Sequence, residues 1–191
     1  MRNARQPVDP SVDPRYPIGH FKRPAEIDGA SFSDALLTLG ELPQNLRTAV
    51  DGLRADQLDT PYRDGGWTVR QLVHHIADSH MNCYVRIKLA LTEDAPTIKP
   101  YDEAAWAMLH DGRDAPVEWS LELLEALHAR LLMLLRSLSP KQWQRTFVHP
   151  ENGSLSLETV ALLYAWHSRH HVAHNGITGC KGLVDGGANG R

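Results

Sequence analysis

The chain has 191 residues, of which 42% are hydrophobic and 23% charged, with a formal net charge of -3; such a composition folds into one domain rather than staying disordered. With no basic surplus to neutralise a run of phosphates, a nucleic-acid partner is not expected. The longest apolar runs, such as Leu131-Leu132-Met133-Leu134-Leu135, fall far short of the roughly 18 residues of a membrane span, so no membrane partner is expected either.

Residues 1–24 are rich in Pro, Asp and Arg and lack the apolar stretch of a secretory signal, which points to a cytoplasmic location. Four prolines by Pro17 make residues 1–30 an extended arm packed on the rest of the fold. Cys83 falls in a helical pattern and Cys180 in a Gly-rich tail, a placement that suits two reduced thiols.

From Ser33, Leu36, Leu39, Leu42, Leu46, Val50 and Leu53 recur at helical spacing, and Pro43 predicts a kink or break near the middle. Turn formers fill residues 59–66. Thr68 and Gln71 then fit a capping box, so a long helix is expected over residues 68–91 along the stripe Val69, Leu72, Val73, Ile76, Cys83, Ile87 and Ala90. A loop with Pro96 and Pro100 leads to a short helix over 103–109. Pro116 suits a first helical position, and Leu121, Leu124, Leu127, Leu131, Leu134 and Leu135 predict a helix reaching Leu138 before Ser139-Pro140. A last helix begins near Ser156 and carries Val160, Leu163, Tyr164, His167, His171 and His174 down one face, ending by Gly176. No strand-period alternation of useful length is visible, so the expected fold is all-α, a bundle of about four long helices over 31–176 with a tail over 177–191.

Eleven histidines is a high count for such a chain, and they cluster: His74, His75 and His80 on one helix, His167, His170, His171 and His174 on another. His167 and His171 are four apart, hence stacked on one helical face and able to converge on one ion. His174 shares the face but lies about 10.5 Å along the axis from His167, too far for the same ion. A third ligand must come from the other helix. His74 lies almost opposite the stripe and is expected to face solvent, His80 within it as a core histidine hydrogen-bonded to a neighbour, and His75 at its edge; periodicity does not choose among them. Asp78, His80 and His174 stand as candidates for a fourth ligand or a base, Asp78 being read first as a solvated acid. Trp67, Trp106, Trp166 and Tyr164 are candidates to line a pocket, but aromatics at helical spacing read first as core.

The segments Trp67-Thr68-Val69-Arg70-Gln71-Leu72-Val73-His74-His75-Ile76-Ala77-Asp78-Ser79-His80-Met81-Asn82 and Trp166-His167-Ser168-Arg169-His170-His171-Val172-Ala173-His174 resemble the DinB superfamily, in particular its YfiT-like metal-dependent hydrolases. The likeness extends to Tyr16-Pro17-Ile18-Gly19, residues 58–66, 89–93 and 100–102, covering nearly all of the chain up to His174. It implies a DinB-like four-helix bundle, a cytoplasmic homodimer, and one divalent ion per subunit, zinc or nickel, held by His75, His167 and His171. The chain departs from the family at Asn175-Gly176-Ile177-Thr178-Gly179, where the helix is expected to end early.

Three neutral imidazoles leave zinc dipositive with an open position, where the pKa of a water can fall to about 7. That chemistry suits a hydrolase acting on an unknown small substrate. It suits equally a thiol S-transferase in which the metal activates a low-molecular-weight thiol, or, if a fourth protein ligand closes the site, a non-catalytic metal-stabilised bundle.

Overall fold

The computed structural model describes residues 13, 15–63 and 65–174. The expected tail, Cys180 and the departure after His174 lie outside the described residues. The elements, in chain order, are α1 (Gly29–Val50), α2 (Ala55–Leu58), α3 (Val69–Thr92), α4 (Glu103–Ala107), α5 (His110–Asp114), α6 (Val117–Arg136), α7 (Pro140–Trp143), β1 (Thr146–His149), β2 (Gly153–Ser156) and α8 (Leu157–Ala173). Among the described residues no helix is long and apolar enough to cross a membrane.

Local chemistry sets most of the boundaries. Asp28 accepts from Ser31 N at 2.7 Å and starts α1 four residues ahead of the expected Ser33. The Thr68 capping box forms as expected: Thr68 Oγ1 accepts from Gln71 N at 3.1 Å, and Gln71 Oε1 accepts from Thr68 N at 3.0 Å. Gln71 also donates through Nε2 to Ala107 O at 2.8 Å, which ties α4 to the start of α3. Ser156 caps α8, accepting from Thr159 N at 3.2 Å. Pro116 serves as N-cap of α6 rather than its first helical residue, and α6 ends at Arg136, two residues before the expected Leu138.

Two expectations are corrected. Pro43 does not interrupt α1, which runs as a single 22-residue helix, because the carbonyl that a proline leaves unpaired finds another donor. The all-α fold also carries a small hairpin. β1 and β2 pair antiparallel, Phe147 opposite Leu155, and Gly153 takes φ 69° at the turn, a left-handed conformation that glycine adopts freely.

α1 packs on α8 and α6, and α3 packs on α6 and α8. The two long helices that come first in the chain therefore sit diagonally across the bundle. Its core has two apolar clusters, one containing Cys83, Leu131, Leu135, Phe147 and Leu157 and the other Leu42, Leu46, Leu72, Ile76 and Leu124. His80 on α3 and His128 on α6 fall along their helices between the two clusters, so a fully buried polar layer divides the core. Of the arm, Tyr16 and Phe21 pack their rings towards His170 and Trp166 of α8, and Arg23 donates to Ser154 O at 3.2 Å.

Candidate metal centre

The inward face of α3 and the last two turns of α8 meet at His75, His167 and His171. Their ring centroids lie 5.5 Å (His75–His167), 5.0 Å (His75–His171) and 4.4 Å (His167–His171) apart. One nitrogen from each lies within 4.8 Å of the others. His167 Nε2 and His171 Nε2 are 3.1 Å apart, close to the roughly 3.3 Å that separates two ligands at 2.0–2.1 Å from a tetrahedral zinc. His75 and His171 are buried and His167 is half-buried.

Burial pushes the His75 pKa down to about 4. His167 and His171 are held well below the ordinary imidazole range, by burial first and then by the neighbouring rings. At neutral pH all three are uncharged and keep the lone pair that a metal requires. The Nδ1 atoms of His167 and His171 are buried without a hydrogen-bond partner, an arrangement that costs free energy unless another group engages the rings. Donor type, charge state and spacing all fit a divalent ion.

A cavity of about 430 Å³ opens onto this cluster, lined also by Tyr16, Tyr62, Arg63, Trp67, Glu103 and Trp166. The turn before α3 shapes one wall. Gly65 takes φ 62°, and a Cβ on Gly66 would meet Arg63 Cγ at 2.7 Å; glycine at both positions lets the chain fold back so that Tyr62 N donates to Trp67 O at 3.0 Å. Trp67 then packs on His75, ring centroids 4.8 Å apart. Glu103, the first residue of α4, brings a carboxyl to the wall, and partial burial raises its pKa.

Other histidines occupy different places. His74 is 7% exposed, not solvent-facing as the helical wheel suggests. It bonds Ser120 Oγ at 2.7 Å and Ala115 O at 3.1 Å, because α6 and the loop before it cover the side of α3 opposite α8. His80 is the expected core histidine, 0% exposed, with Nδ1 3.0 Å from Nε2 of His128. His170, His171 and His174 form a second group of buried nitrogens within 4.8 Å of one another, sharing His171 with the first. Asp78 is half-buried, its pKa raised to about 6 by burial and by Asp111, and it does not line the cavity. Tyr164 is a core aromatic as expected, donating to Ser79 O at 3.3 Å. Trp106 packs against Tyr101 with the ring planes tilted by 46°, while Trp67 and Trp166 are half-buried and line the cavity, Trp67 packing also against the core. Cys83 is a free, buried thiol whose pKa burial pushes up.

Sequence reasoning missed His128 and Glu103, and it set the pocket role of Trp67 and Trp166 second to a core one. A signal existed for His128 in the stripe Leu124, His128, Leu131, which places an imidazole on an apolar face. Glu103 carries no comparable local signal.

Fold and site together define a four-helix bundle that presents a cross-helix cluster of neutral imidazoles, able to hold a metal ion, to an open cavity. The chain belongs to the DinB superfamily, whose family pattern matches residues 38–174. It is similar to a protein of Oceanobacillus iheyensis named provisionally as a metal-dependent hydrolase, with 52% identity covering 85% of this chain and 94% of that one. Bacillus subtilis YfiT, named in the same way, is 50% identical over 86% of this chain and 93% of its own. A solved structure of YfiT, described as a probable metal-dependent hydrolase with an unusual four-helix bundle topology, superposes with a TM-score of 0.85 at 48% identity, covering 91% of this chain and 99% of YfiT.

Proposed function

We propose that the protein is a metal-dependent hydrolase of a small substrate, its ion held by His75, His167 and His171. The observation that carries this reading is the placement of three uncharged imidazoles from two helices at the floor of an open cavity. Three protein ligands leave a coordination position for a reactant, whereas a structural site closes with four. The second group, His170, His171 and His174, lies on one helix turn and lacks the cross-helix clamp. The reading includes one ion per chain, zinc ahead of nickel, and, on the family resemblance, a cytoplasmic homodimer.

An ion held by these three histidines would supply Lewis acidity to a water or a carbonyl. The rest falls to side chains of this protein. Trp67 limits the rotation of the His75 ring from one side, and Tyr164 restricts His167, their centroids 5.7 Å apart. Tyr16, Tyr62, Trp67 and Trp166 give the cavity aromatic walls suited to the apolar part of a substrate. Glu103, at the start of α4, adds a carboxyl to the same wall.

The test is metal quantification followed by metal-edge X-ray absorption, with and without a low-molecular-weight thiol. One ion per chain with an unchanged shell of nitrogen and oxygen supports the hydrolase. A new metal–sulfur shell on adding thiol replaces it with the thiol transferase, and a fourth protein nitrogen replaces it with a structural site.

A further inference from the structure

Pro43 has no N–H, so the carbonyl of Leu39, four residues earlier, lacks its intrahelical partner. That carbonyl is instead bonded by Nδ1 of His128, from α6, at 2.7 Å. A carbonyl only accepts, so His128 Nδ1 carries the proton. Buried and uncharged, His128 then has a bare lone pair on Nε2, which lies 3.0 Å from His80 Nδ1. His80 Nδ1 must therefore be the donor, and His80 Nε2 is left as a bare acceptor. The direction of each bond follows from the one before it.

His80 Nε2 is fully buried and has no hydrogen-bond partner. Beside it lies His167, ring centroids 5.6 Å apart, whose Nδ1 is also buried and unpartnered. Since His167 Nε2 faces His171 Nε2, coordination through that nitrogen leaves the proton of His167 on Nδ1. One orphan is then a donor and the other an acceptor. The bonded pair His80–His128 has its centroids 4.9 Å apart, so a ring shift of about 0.7 Å brings His167 to the same separation.

We propose that His80 is a positioning residue whose Nε2 accepts the Nδ1–H of His167, so that the Leu39 carbonyl, His128 and His80 fix the tautomer that aims His167 Nε2 at the ion. This rests on the metal reading above. Outer partners of metal-bound histidines typically contribute 10–100-fold in metal affinity, and that is the effect expected of His80.

Zinc affinity of the full-length protein is compared by competition with a chromophoric chelator for wild type, His80→Leu and His80→Gln, with circular dichroism confirming the fold. Leucine fills the space without an acceptor, while glutamine keeps a carbonyl for His167 and an amide donor for His128. The relay requires a 10–100-fold loss in His80→Leu and recovery to within a few fold in His80→Gln; a purely structural role gives no such recovery. Long-range proton–nitrogen correlation spectra of wild-type protein read the tautomers directly, even if a variant fails to fold. They should show His80 and His128 protonated on Nδ1, and a His80 protonated on Nε2 overturns the relay. Equal zinc affinity in wild type and His80→Leu also overturns it, whereas failure of the wild type to bind any metal overturns the functional reading itself.

Discussion

Replacement of His171 by alanine should uncouple the protein's stability from metal. Without metal, the substitution removes a buried imidazole whose Nδ1 has no partner. Relief of that orphaned group, about 1–3 kcal/mol, is set against the packing lost and against His167 Nε2, which loses its partner at 3.1 Å, so the metal-free variant should melt below wild type. With metal the two diverge further. Four-ligand zinc sites bind with about 10–16 kcal/mol, roughly 3 kcal/mol per ligand, so loss of one ligand weakens affinity about 100-fold. Metal at 100 times the wild-type Kd stabilises wild type by about 2.7 kcal/mol, which for a domain of this size raises Tm by roughly 5–11 °C. At the same concentration the variant is only half saturated and gains about 0.4 kcal/mol, or roughly 1 °C. Differential scanning fluorimetry with a chelator and then with added zinc measures both. An equal rise in Tm for the two proteins would falsify His171 as a ligand.

His74→Ala should leave metal binding intact while lowering stability by about 1–3 kcal/mol in urea titration, since Ser120 Oγ and Ala115 O lose their buried partner; loss of metal would instead assign His74 to the site. In metal-free protein, burial lowers His75 and His128 to about 4, against about 6.5 for an unfolded histidine. Between those values the unfolded chain takes up protons that the folded one refuses. Stability is therefore full above pH 6.5 and falls as pH drops towards 4, by about 3 kcal/mol per histidine. Urea midpoints at pH 7 and pH 5 test this, and a His128→Gln variant with an undiminished slope removes His128 from the account. Thr68→Ala should cost about 1 kcal/mol by loss of the α3 cap, without altering metal content; an unchanged urea midpoint would show that the cap contributes nothing.

Features that depend on neighbours in sequence were legible before the fold was known. The Thr68 capping box, the apolar stripe of α3 and the four-residue spacing of His167 and His171 each act within one or two turns of helix, so a local pattern suffices. Features set by packing were not. The wheel placed His74 in solvent by assuming one buried stripe, yet α3 is covered by α6 and α8 and also by α4 and α5, leaving little of its first half to water. The rule that proline breaks a helix presumes that the freed carbonyl stays unpaired, and no local pattern shows that His128 will pair it. The hairpin escaped because four-residue strands carry too few alternations to register, although Asn152-Gly153 is a common turn signal.

The use of histidine where a bundle helix usually has leucine gives α8 a gradient in cohesion. Its first half carries Leu157, Val160, Ala161 and Tyr164 into an apolar cluster, while its last turns present His167, His170, His171 and His174 inward. In the metal-free protein the hydrophobic effect therefore holds one end of the helix much more firmly than the other. Amides of the last turns should exchange with solvent through local opening while those around Val160 await global unfolding. On the proposed reading, an ion bridging α8 to His75 would supply the missing cohesion where side chains do not, and the end of the helix that carries the histidines would become rigid when the metal is loaded.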